Sequence, residues 1–194
     1  MKPISNSLET ENCGVEFQCF EASRQEDEPI DILEWANGFP GPIIHNCECR
    51  FYHDPRFGRY ESKDFVRKKP KSNKRILLVP DSNEFYQAST YLQQARMLPK
   101  GVRPASAIET VAAVFSFHRQ TGQYPDLGHL FLATSDIIPV SDWPVWWRNL
   151  YGIDFDRRIF LQVGPNLGIF IRDYSVKIDF YSNSRPTVIA ATVE

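Results

Sequence analysis

The distribution of apolar patterns along the chain predicts an α+β protein: a mainly antiparallel sheet carrying a helical hairpin on one face, preceded by a smaller β-containing N-terminal segment. Three observations carry this. The two longest helical patterns fall in the middle of the chain, and four strand-like runs follow at 129–134, 158–163, 168–181 and 187–193. "GPNLG" (164–168) separates two of those runs, a turn that joins antiparallel neighbours but is too short for a parallel crossover. The composition, 42% hydrophobic, 13% aromatic and 24% charged, supplies both an ordinary core and a solvated surface.

Taken in order, "CGVEFQCF" (13–20) alternates Val15, Phe17 and Cys19 against Glu16 and Gln18, the period of a half-buried strand. "DEPIDILEWANG" (27–38) opens with acidic residues and Pro29, places Ile30, Leu33 and Trp35 inside, and ends at Gly38, which predicts a short capped helix. "RILLV" (75–79) is a continuous apolar run and reads as a buried strand. Asp81 with Glu84 three residues later forms a capping-box pattern, followed by Phe85, Ala88, Leu92 and Ala95 at helical spacing until Pro99. The second helix of the hairpin starts at Pro104, carries Ala107, Ile108, Val111, Val114, Phe115 and His118 on one stripe, and stops at Gly122.

Charge divides the first part of the chain. Residues 1–42 hold nine acidic and two basic side chains (net −7), and residues 43–75 hold ten basic and four acidic (net +6). The two blocks either neutralise one another or face separate partners. "RKKPKSNKR" (67–75), with six Lys or Arg in nine residues and no apolar residue, reads as an exposed basic linker. The expected organisation is therefore a Cys/His-containing segment over 1–66, the linker over 67–75, and an α+β body over 76–194. The opening "MKPISNSLETENCG" has no apolar stretch of the secretory kind, and no apolar run is long enough to span a bilayer, so a cytoplasmic protein with no membrane partner is expected. Its four cysteines are then reduced thiols.

Three stretches offer chemistry. "HNCECRFYHD" (45–54), read as a strand, puts His45, Cys47, Cys49 and His53 on one face; with Cys19 from the first strand they form a thiolate and imidazole set of the kind zinc prefers. The alternative is that the cysteines are simply buried, with no cofactor, since free cysteine packs as a small hydrophobe. Cys13 and Cys19 cannot share one ion on an extended strand, where six residues span about 20 Å. In the basic linker, Lys68, Lys69 and Lys71 would suit phosphate contacts with a nucleic acid. "SDWPVWWRNLYG" (141–152) concentrates Trp143, Trp146, Trp147, Arg148 and Tyr151, residue types enriched at protein-binding hot spots; the competing reading is a loop packed over the core.

"LLVPDSNEF" (77–85) places Asp81 just past a strand, followed by a small hydroxyl residue and Asn. Over about five residues this stretch resembles metal-dependent nucleases of the PIN type, in which the first acidic ligand stands at the place of Asp81. The resemblance implies a magnesium-dependent hydrolase in which Glu84, Glu109, Asp136 and Asp142 complete the carboxylate cluster. The same Asp81 and Glu84 also serve as plain helix caps, and no G-x-S-x-G, H-E-x-x-H or Gly-rich phosphate loop is present. The sequence thus favours a binding or regulatory module acting on a protein partner, with nucleic-acid contact through 67–75. The alternatives are the Asp81 hydrolase or nuclease and a small zinc-stabilised adaptor.

Overall fold

The computed structural model describes residues 16–38, 63–81, 90–128, 130–164, 168–176 and 187–193. Its described strands are β1 (Phe17–Ala22), β2 (Arg75–Pro80), β3 (Val102–Pro104), β4 (Phe131–Ile138), β5 (Arg157–Gly164), β6 (Gly168–Ser175), β7 (Thr187–Ile189) and β8 (Ala191–Val193). One sheet has the order β1-β2-β8-β3 and the other β6-β5-β4-β7. Every described pairing is antiparallel except that of β4 with β7, so the expected α+β class with mainly antiparallel sheets holds.

A single residue links the sheets. Ala190 separates β7 from β8, so one extended segment pairs with β4 in one sheet and then with β2 and β3 in the other. At the crossing the Ala190 N–H donates to the Ala133 carbonyl (2.9 Å), the Ala105 N–H to the Ala190 carbonyl (2.8 Å), and the Ser135 N–H to the Ala105 carbonyl (2.8 Å). Three alanines meet there and all are buried. Methyl side chains let the backbones approach closely enough for those bonds. The β4–β5 register also shifts between Ala133 and Ile137, a bulge that turns Asp136 inward.

The helices are α1 (Ile32–Gly38), α2 (Asp64–Arg67), α3 (Tyr91–Met97), α4 (Ala107–Thr121) and α5 (Val145–Tyr151). The long helix α4 ends at Gly122 as the sequence predicts, but it starts at Ala107, because Pro104, the expected start, belongs to β3. Its Ser106 hydroxyl accepts from the Glu109 N–H while the Glu109 carboxylate accepts from the Ser106 N–H, and Gly122 closes the far end at φ +73°, donating to the His118 carbonyl. Residues 107–116 are all buried, so α4 is wrapped on every side and not amphipathic over its first ten positions. It packs on β1 and β2, and its Phe115 meets the fully buried Trp35 of α1 at 5.3 Å between ring centroids.

The expected helical hairpin takes a different form. Thr90 is extended (φ −128°, ψ 152°) and makes its own capping box with Gln93, so a new helix starts at Tyr91 and no helix runs through from Asp81 to Met97. Strand β3 then intervenes before α4, and α3 packs against β7.

Residues on both sides of the basic stretch 67–75 share one core: Phe17, Ile32, Trp35 and Phe65 lie with Leu77, Ile108 and Phe115. The stretch is built into the fold at both ends. Lys68 Nζ pairs with Asp136 Oδ1 at 2.6 Å, and Arg75 is buried with its Nε 2.7 Å from Glu28 Oε2. Glu28 belongs to the acidic block and also accepts from the Ser116 hydroxyl (2.6 Å), so acidic and basic blocks meet in a buried ion pair on α4. The described residues contain no helix long and apolar enough to cross a membrane.

Candidate partner-binding surface

The tryptophan-rich segment leaves β4 at Pro139 and returns at β5. It opens with a 3₁₀ turn over Val140–Asp142, and α5 (Val145–Tyr151) follows between Pro144 and Gly152, which caps it at φ +60° with its N–H on the Arg148 carbonyl. The sequence pattern predicts an ordered loop here, and the structure forms a helix instead. Pro144 before the first helical residue and Gly152 after the last are the start and stop signals that identify it as a helix.

Two buried anchors hold the segment down. Trp143 at its start and Ile153 at its end are each 2% exposed, and both belong to the main core. Trp143 is therefore a core residue and not part of a contact surface, a correction to its expected role. The Lys63 ammonium lies 4.4 Å from the centroid of the Trp143 ring and donates to the Asp142 carbonyl. Where the two ends of the segment meet, the Val140 N–H donates to Asp156 Oδ1 at 2.9 Å.

Between the anchors the helix turns apolar side chains to solvent. Val145 is 62%, Trp146 61% and Leu150 66% exposed. Trp146 and Leu150 stand four residues apart and so share a face. Arg148 is half-buried, with a buried Nε that has no hydrogen-bond partner. The side chains of Trp147 and Tyr151 lie outside what is described. Sequence reasoning missed Val145 and Leu150, because single aliphatic residues beside three tryptophans carry no distinguishing signal until the helix is known.

Beside the start of this segment lies a cleft of about 220 Å³, lined by Lys63, Asp64, Lys68, Ile137, Pro139 and Asp142 among others. Both of its lysines are engaged, Lys63 by Trp143 and the Asp142 carbonyl and Lys68 by Asp136. Asp64 and Asp142 are exposed and make no ion pair among the described residues. The contact of 63–68 with 137–142 spans more than 70 positions of sequence, and nothing in either stretch announces it.

The other sequence-predicted residues are distributed as follows. Lys69 and Lys71 are exposed, and the Lys71 backbone N–H donates to Glu109 Oε1 (3.3 Å). Cys19 sits half-buried on β1 opposite Leu78, where burial, with a smaller contribution from Glu21, raises its thiol pKa and disfavours the thiolate. His45, Cys47, Cys49 and His53 lie outside the described residues, as does Glu84. Among the described residues no group of three or more His, Cys, Asp or Glu is arranged around a common point.

The carboxylates of the nuclease reading are separated. Asp81 is exposed at the end of β2, accepting from Gln18 Nε2 (3.2 Å). Glu109 and Asp136 are brought to the start of α4, where both are saturated. Glu109 is held by a two-pronged contact with Arg103 (2.6 and 3.0 Å) and by the Ser106 N–H and hydroxyl. Asp136 accepts from Lys68 and from the Ala107 N–H (2.7 Å). Carboxylates held in this way act as helix caps. No known protein family matches the chain, and no curated protein or solved structure matches it.

Proposed function

We propose that the chain is a protein-binding module whose partner contacts are centred on α5. The observation that supports this is the exposure of Val145, Trp146 and Leu150 on a helix whose two ends are fixed in the core by Trp143 and Ile153. Water-exposed Trp, Val and Leu side chains on one short helix are costly to leave uncovered, and a covering partner removes that cost. Rigid anchoring reduces the ordering entropy lost on association. Trp146 is the expected centre of the contact, since tryptophan dominates measured hot spots. Lys69 and Lys71 lie in a separate exposed stretch and add an electrostatic contribution for a partner that extends that far.

The test compares two variants. Trp146→Ala with Leu150→Ala removes exposed side chains only and is expected to move Tm by less than about 2 °C. Affinity for a partner cross-linked to the wild-type protein in its own cells should fall at least tenfold, the loss of about 1.4 kcal/mol or more. Trp143→Ala, in contrast, should cost about 3–5 kcal/mol of stability. Wild-type affinity in the double variant, or a collapse of its melting temperature, would overturn the reading.

A further inference from the structure

The charges around the α5 face narrow the chemistry of what it binds. The segment that carries Val145, Trp146 and Leu150 has exposed carboxylates on both flanks, Asp142 before the helix and Asp154 and Asp156 after it. The positive charge within the helix, Arg148, is half-buried. The cleft next to Asp142 repeats the pattern. Of its lysines, Lys68 is paired with Asp136 and Lys63 keeps its charge against the Asp142 carbonyl and the Trp143 ring, while both Asp64 and Asp142 face solvent without an ion pair among the described residues, so the carboxylates outnumber the uncompensated cation. Ile137 and Pro139 supply an apolar wall. A cleft of about 220 Å³ with an apolar wall and two exposed carboxylates suits the aliphatic stem and cationic head of a lysine or arginine.

Building on the protein-binding reading above, we propose that α5 and the adjoining cleft take a basic amphipathic helix of a partner protein. Its apolar stripe covers Trp146 and Leu150, and one of its Lys or Arg side chains enters the cleft between Asp64 and Asp142. Other occupants fit less well. The exposed carboxylates repel nucleic-acid phosphates, and they repel an anionic bilayer surface by the same Coulomb interaction. An acidic or uncharged helix would satisfy the apolar face alone and leave the flanking charges without partners.

The test uses the full chain with two synthetic helical peptides of identical length, one patterned with Leu and Lys and one with Leu and Glu. Binding is followed by calorimetry at two salt concentrations. The Leu/Lys peptide is expected to bind about tenfold or more tightly than the Leu/Glu peptide, with a preference that shrinks as salt rises. Trp146→Ala, or Leu150→Glu as an independent variant, should abolish the binding. Asp64→Asn with Asp142→Asn should remove most of the preference between peptides at unchanged Tm.

Equal or tighter binding of the Leu/Glu peptide overturns the charge assignment, as does failure of both peptides to bind. Leu/Lys binding that survives Trp146→Ala places the contact elsewhere and also overturns it, as does transfer of Trp146 to anionic vesicles in preference to the peptide. These failures are distinct from failure of the broader reading. A native partner that is lost in the Trp146 and Leu150 double variant but offers an acidic helix would leave α5 as the binding surface and sink only the basic-helix inference.

Discussion

Among single residues, Glu109 shows how one side chain determines a local structure. Burial by itself would raise its pKa, but hydrogen bonds from Arg103 and from the Ser106 N–H and hydroxyl outweigh that and lower it from 4.5 to about 2. Because the folded pKa is depressed, the stability it contributes is present above the unfolded value and is lost as pH falls from about 4.5 toward 2. Glu109→Gln should cost about 2–3 kcal/mol at neutral pH and flatten the pH dependence of stability across that window, as read by urea unfolding at pH 7 and pH 3. An unchanged slope between those two pH values would show that Arg103 does not stabilise the charged form. Glu109 was legible in sequence as an acidic residue but not as a cap, because its partner Arg103 lies on β3, a strand too short to read. His118, the last residue of the predicted stripe, stacks on Tyr124 at 4.1 Å, and burial lowers its pKa.

Helices were legible where both ends carry chemistry. Gly122 ends α4 where the sequence predicts, but Ser106 and Glu109 start it at Ala107 and not at the expected Pro104. Thr90 is extended and caps a helix that begins at Tyr91, so the expected helix from Asp81 does not run through that position. Thr90→Ala should therefore lower stability by about 1 kcal/mol and reduce hydrogen-exchange protection specifically over 91–97. Protection that does not change would show that packing on β7, and not the cap, holds this helix. Helix α5 was missed for the opposite reason: its aromatic composition suggested a hot spot before its Pro and Gly boundaries were weighed. Its outward residues are also the ones a burial argument would have placed inside.

For the whole molecule, most strands were legible but β3 and the division into two sheets were not, since β3 is only three residues long and "TVIAATV" reads as one uninterrupted strand. Its run of small residues was the signal. Ala190 meets Ala105 and Ala133 where the sheets cross, all three are buried, and a larger side chain there has no room without moving backbones joined by bonds of 2.8–2.9 Å. Ala190→Val should destabilise by about 1–3 kcal/mol, measured by chemical unfolding, and loosen both sheets together in hydrogen exchange. Loosening of one sheet alone would show that they are independent units. The crossing also bears on when the fold can complete. Residues 187–193 close gaps beside strands that begin as early as Arg75, so on the ribosome β2, β3 and β4 gain their last described neighbour only after more than a hundred further residues have been added after β2. Until then those strands present open edges to other nascent chains. Unpaired edges of this kind are templates for pairing with other chains, so the incomplete fold is the state exposed to aggregation.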